Sequence, residues 1–220
     1  MIDLHTHTLL SDGELCPAEL VQRAKFKGYT VLGITDHVDL SNLDLVVPQI
    51  AEFCEKINRI EKGIQVIPGA ELTHLPPPLI PEFASKAREK GAILVLVHGE
   101  TIVEPVPRGT NRAALDADID ILAHPGIISE EEVRIARERG LFLEISTRSG
   151  HCLTNGHVAR LATSLGAELI LNTDAHAAQD LITLEQAREI LLGAGLPALK
   201  VNKIIENSQG LVKKLYSKNS

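Results

Sequence analysis

Short aliphatic runs return along this chain at intervals of about thirty residues, each followed by a polar loop and a stretch with helical character. The runs are MIDLH at the start, TVLGITDH from Thr30, IQVIPGAE from Ile64, ILVLVHGE from Ile93, IDILAHPG from Ile119, LFLEIST from Leu141 and ELILNTDAH from Glu168. They are continuous rather than alternating, the pattern of parallel strands covered by helices on their outer side. The stretches between them carry helix punctuation. Pro17 suits a first helical position and Gly28 a left-handed stop. Ser129 with Glu132, and Thr183 with Gln186, have capping-box spacing, and Gly140 and Gly193 follow their helices. An amphipathic segment from roughly Asn202 to Tyr216 predicts a C-terminal helix, and the Pro-rich LPPPLIP at Leu75 to Pro81 predicts one stiff loop.

About seven such βα units and one further helix fit either an open doubly wound sheet or a closed barrel. An open sheet gathers polar ligands at one crevice, whereas here nearly every run ends in His, Asp or Glu. Closure is the better fit. With no linker and no low-complexity segment, residues 1–220 read as a single α/β domain.

Composition narrows the partners. The chain of 220 residues is 44% hydrophobic and 23% charged, ordinary values for a globular protein, so disorder is excluded. A formal charge of -7 and only 3% aromatic residues argue against a basic groove or a stacking platform for nucleic acid. No apolar run approaches a membrane span and no secretory signal is visible. Cys16, Cys54 and Cys152 are widely separated and odd in number, so a reduced, cytoplasmic protein is expected; nothing fixes the oligomeric state.

The unusual component is histidine, present nine times. His5 and His7 are two apart and project together from the first strand. The second run ends in Asp36 and His37, the third in Glu71, the fourth in His98, the fifth in His124 and the seventh in Asp174 and His176. In a parallel barrel those ends share one face, where active sites are built. So many imidazoles and carboxylates crowded without a compensating charge would be costly to desolvate. Mixed imidazole and carboxylate donors suit Zn²⁺, Mn²⁺ or Fe²⁺, and the lack of cysteine among them argues against a closed structural zinc.

The ordered motifs HTHTLLSDG, ITDH, GAE, VHGE, AHP and NTDAH resemble those of the polymerase and histidinol phosphatase (PHP) superfamily, and the likeness runs from His5 to His176. The resemblance implies a distorted seven-stranded (β/α)7 TIM-like barrel with two or three divalent ions. It also implies a ligand set: His5, His7, Glu71 and Asp174 for one ion, Glu71 bridging to a second held by His98 and His124, and Asp12, His37 and His176 for a third. Asp12 is a departure, because some members carry a further histidine near the end of the first motif.

Closely spaced ions of this kind activate a water near neutral pH and clamp phosphoryl oxygens. The expected activity is hydrolysis of a small phosphomonoester by metal-bound hydroxide, with histidinol phosphate the best single substrate. The expected catalytic residues are Glu71, His98, Asp174 and Arg148. Arg148, after the sixth strand, and Arg108 and Arg112, after the fourth, are candidate phosphate clamps. His74 and His151 are placed in the substrate pocket, His157 at a helix start, and Glu144 and Ser146 beside the ligands as orienting groups. Asp36 should point to the other side of its strand as a hydrogen-bond partner. Competing readings are a nucleotide or phosphotyrosine phosphatase, an amidohydrolase-type barrel and a non-catalytic metal-binding module.

Overall fold

A computed structural model describes residues 1–218. Its strands are β1 (Ile2–Asp3), β2 (Val31–Ile34), β3 (His37–Val38), β4 (Gln65–Leu72), β5 (Leu94–His98), β6 (Ile121–Ala123), β7 (Phe142–Ser146) and β8 (Glu168–Asn172). The sheet is parallel throughout, in the order β1-β2-β4-β5-β6-β7-β8, with β3 also paired to β4. β2 and β3 are the two halves of the second run, interrupted at Thr35 and Asp36, so seven βα units are present as the pattern predicts.

The helices α1 (Pro17–Phe26), α2 (Leu43–Ile60), α3 (Ile80–Glu89), α4 (Thr110–Asp116), α5 (Glu130–Arg139), α6 (Asn155–Leu165) and α7 (Leu184–Gly193) connect or follow the strands, and α8 (Ala198–Lys218) ends the described chain. Both capping boxes form: Ser129 and Thr183 accept from the backbone N–H of Glu132 and Gln186. Gly140 caps α5 in the left-handed conformation that the spacing predicts. The proline-rich segment differs from expectation. Pro77–Leu79 form a 3₁₀ turn, and Pro81 lies in the first turn of α3, where a missing N–H costs nothing.

Strand alternation sorts the apolar residues into two layers. Val66, Val95, Val97, Leu122, Leu143, Leu169 and Leu171 pack outward with the helices. Leu4, Ile67, Leu94, Leu96, Ile121, Ala123 and Ile170 form an inner cluster, which Leu211 and Leu215 of α8 complete. The last helix therefore stoppers one end of the barrel, and the strands' C-terminal ends are left to form the open mouth.

Closure between β1 and β8 is made largely by side chains. One parallel bridge joins Thr6 to Ala175, with His7 N–H donating to the Ala175 carbonyl at 2.8 Å. Below it, the Asp3 carboxylate accepts from the Thr173 N–H at 3.2 Å and the Thr173 hydroxyl at 2.5 Å, and Leu4 N–H donates to Asn172 Oδ1 at 3.0 Å. Among the described residues, no helix is long and apolar enough to cross a membrane.

Candidate metal centre

Alternation also decides which side chains reach the mouth. Glu71 lies on the inner face of β4 above Ile67, and His98 on that of β5 above Leu94 and Leu96. His124 and Asp174, beyond the ends of β6 and β8, take their direction from the backbone. Their φ values are 24° and 53°, and His74, at 53°, is the third non-glycine residue with positive φ among those described. Such a conformation costs a residue with a Cβ about 1–3 kcal/mol and persists only where the surroundings impose it. All three residues lie at this mouth.

The side chains meet at the spacing of a coordination shell. Donors on one ion with bonds of about 2.0–2.2 Å lie roughly 3.0–3.5 Å apart. His5 Nε2 is 3.3 Å from Glu71 Oε2 and 3.7 Å from Asp174 Oδ1; His7 Nε2 is 3.5 and 3.2 Å from the same two oxygens. His124 Nε2 lies 3.4 Å from Glu71 Oε1 and 3.6 Å from Asp174 Oδ2. Asp12 Oδ1 is 3.1 Å from His176 Nε2 and 3.6 Å from His37 Nε2. His7, Asp12, His37 and His176 can share one ion, as can His5, His7 and Glu71, and so can His98, His124 and His151.

Charge and burial agree with that use. Nine buried side-chain nitrogens and oxygens lack a well-aligned hydrogen-bond partner among the described residues, and all belong to His5, His7, Glu71, His98, His124 and Asp174. Buried polar atoms left unpaired are costly, so this concentration calls for a cation. Burial, aided by the neighbouring His37, holds His7 well below the ordinary histidine range, and burial with His98 lowers His124. Both rings are thus neutral and offer lone pairs. Burial opposes ionisation of Glu71, but His5 and His37 outweigh it and keep the carboxyl well below its usual range.

Surrounding groups fix the orientation of these donors. His5 Nδ1 is 2.8 Å from Glu144 Oε1, and the other Glu144 oxygen accepts the His124 N–H at 3.1 Å. His37 Nδ1 lies 2.7 Å from both Thr73 Oγ1 and Glu71 Oε2, leaving Nε2 toward Asp12. Asp36 points away from the cleft and accepts from Thr8 N–H, Thr8 Oγ1 and Ser11 Oγ at 2.7, 2.8 and 2.6 Å, which ties down the loop carrying Asp12.

Above the cluster lies a cleft of about 400 Å³, whose lining includes His74, His98, Glu104, Arg148, His151 and Asp174. Arg148 donates from Nη1 to the Asp174 carbonyl at 3.3 Å and is 30% exposed, so its guanidinium faces the cleft. Arg108 and Arg112 do not line it. Arg112 is turned outward to Asp116 and Glu131, at 3.2 and 3.1 Å, because α4 presents it to solvent; Arg108 is exposed just before that helix. The clamp expected of these two is therefore corrected. His157 lies in α6, with Nε2 at 2.7 Å from the Ile128 carbonyl, away from the site.

One cleft residue had no sequence signal. Glu104 places Oε2 3.1 Å from His98 Nε2 and Oε1 3.3 Å from His151 Nε2. Hydrogen bonds from His151 and His98 hold its carboxyl far below the usual range.

Comparison with known proteins decides the family. The family model described as PHP domain matches residues 3–103. An uncharacterized protein of Methanocaldococcus jannaschii is 47% identical over 207 residues, spanning 94% of this chain and 93% of that one. The chain belongs to the PHP family. A further relative, from Shewanella pealeana and named a probable phosphatase, is 26% identical over 90% of this chain and 86% of its own length.

Solved structures share this fold at lower identity. Histidinol phosphate phosphatase from Lactococcus lactis, in complex with zinc, L-histidinol and phosphate, superposes with a TM-score of 0.56 at 18% identity, over 89% of this chain and 94% of that one. A chain in the structure of archaeal ribonuclease P with mature tRNA gives 0.74 at 17%, over 98% and 91% respectively. Both likenesses establish the barrel alone.

Proposed function

We propose that this protein is a metal-dependent phosphomonoesterase acting on a small substrate, with histidinol phosphate the first to test. The observation that carries the reading is the set of nine buried donor atoms without a well-aligned partner converging beneath one cleft. Divalent ions, two or three of Zn²⁺, Mn²⁺ or Fe²⁺ by the donor chemistry, would supply an activated water and neutralise phosphoryl charge when bound. His5, His7, Glu71 and Asp174 would hold one, Glu71 with His98 and His124 another, and Asp12, His37 and His176 the third.

The remaining cleft residues handle the substrate. Arg148 presents a fixed cation beside Asp174 and orients a phosphoryl oxygen. His151, 4% exposed, and His74, at 46% exposure, would border the leaving group. With -7 on the metal-free chain, anion binding depends on the ions.

The test is a phosphoester panel on protein of measured metal content, including histidinol phosphate, nucleoside monophosphates and phosphotyrosine. Glu71→Ala is expected to lose bound metal and hydrolysis together; an active, metal-free variant ends the proposal. Turnover of amides or lactones with no phosphoester turnover would favour an amidohydrolase instead.

A further inference from the structure

The segment between β5 and α4 is built to carry one side chain into the cleft. Its two ends are tied by Glu100, whose Oε1 accepts the N–H groups of Gly109 and Asn111 at 2.9 and 3.0 Å. Asn111 returns the contact by accepting the Glu100 N–H at 3.0 Å and donates to the Pro125 carbonyl at 2.9 Å. Gly126 allows the neighbouring loop to abut this base: a Cβ there would lie 1.8 Å from the Glu100 carbonyl oxygen. Pro105 and Pro107 stiffen the upper part, and Pro105 favours an extended backbone at the residue before it. That residue is Glu104.

Among the described residues, Glu104 pairs with no lysine or arginine. Its two oxygens reach separate imidazoles, His98 and His151, at 3.1 and 3.3 Å, and Oε2 lies 3.7 Å from His74. The first two separations are close to the 3.2–3.7 Å found between the histidines and carboxylates of the buried cluster, and to the edges of a coordination shell. His151 is prepared for the same role. Its Nδ1 is paired with Thr101 Oγ1 at 2.8 Å, which turns Nε2 toward Glu104. Its ring lies 4.1 Å from that of His124, and one nitrogen each from His98, His124 and His151 can share an ion. Both Nδ1 of His98 and the ring nitrogens of His124 are buried without well-aligned partners.

We propose that Glu104 and His151 are additional ligands of the ion held by His98 and His124, so that this metal fastens the 99–109 loop over the cleft. The proposal rests on the reading that the cluster binds divalent ions, and it extends the ligand set expected for the second ion. The ligands on strand ends come from the barrel itself, whereas Glu104 would bring a carboxylate to that ion from a loop tied at its base by Glu100.

The experiment compares wild type, Glu104→Gln and His151→Gln, loaded with Co²⁺ and followed by metal content, competition with a chromophoric chelator and visible absorption. Glu104 is partly exposed, so its substitution leaves the fold intact, which circular dichroism verifies. Each variant is expected to weaken one ion by about tenfold or more while the others keep wild-type affinity. The cobalt bands should change for that ion alone. Hydrogen exchange over residues 99–109 should slow on metal addition in wild type and much less in Glu104→Gln. Wild-type affinities and an unchanged cobalt spectrum in Glu104→Gln would overturn the proposal while leaving the metal centre standing. A wild-type protein that binds no divalent ion would overturn both.

Discussion

Glu144 Oε1 lies 2.8 Å from His5 Nδ1, and the same oxygen accepts from Asn172 Nδ2 at 2.8 Å. With its other oxygen on the His124 backbone, the carboxylate is fully used and acts by aiming His5 Nε2 at Glu71 and Asp174. Burial favours the neutral form of its carboxyl, but His5 prevails and holds it below its usual range. Glu144→Gln is expected to lower affinity for the ion on His5 and His7 by about 10–100-fold, with the fold retained. Metal titration of the purified variant checks this; unaltered affinity would show that His5 needs no such support.

Metal removal should be visible as stability. An ion held at a free concentration one hundred times its dissociation constant stabilises the folded state by about 2.7 kcal/mol. For a chain of this length, that corresponds to a Tm change of roughly 5–10 °C. Scanning fluorimetry before and after chelation, and again after re-addition of Zn²⁺ or Mn²⁺, measures it. A Tm indifferent to chelator would mean that the unpaired donors do not bind ions.

Asp3 gives the pH dependence its sign. Its carboxylate is wholly buried at the β1–β8 seam, and burial pushes it up to about 6 from 3.8, against hydrogen bonds from Thr173 and His5. A carboxyl raised on folding stabilises fully only below its unfolded value, and that contribution is lost as pH rises through 6. At pH 8 the buried charge costs about 3 kcal/mol. Asp3→Asn, measured by urea unfolding of metal-free protein, should therefore be more stable than wild type at pH 8, with the difference shrinking toward pH 4. A difference that does not vary with pH would rule out titration of this group.

Arg148 separates substrate binding from metal binding. Arg148→Ala should raise KM for a phosphomonoester by about tenfold, the worth of one charge-assisted hydrogen bond, while the ion content stays unchanged. An unchanged KM would remove Arg148 from the substrate site.

The barrel was legible because its strands are buried on both sides and therefore read as continuous aliphatic runs, each ending in a polar residue. The same regularity led to His5, His7, Glu71, His98, His124, Asp174 and His176, since strand ends converge by topology. Residues on loops had no such frame. Glu104 lies six positions beyond His98 in a segment whose path depends on Glu100, Asn111 and two prolines, none of which has a period. Arg112 failed for the related reason that a helix, and not the preceding strand, sets its direction. The break in the second run at Asp36 was likewise set by a distant contact, to Thr8 and Ser11.

The seam also orders events in time. His5 and His7 are synthesised well before their shared oxygen donor Asp174 and the Ala175 carbonyl that pins His7. Until then the early histidines lack the partners that would complete the proposed metal site, so a nascent chain would hold divalent ions weakly. On the proposed reading, metal capture and barrel closure would form one late step.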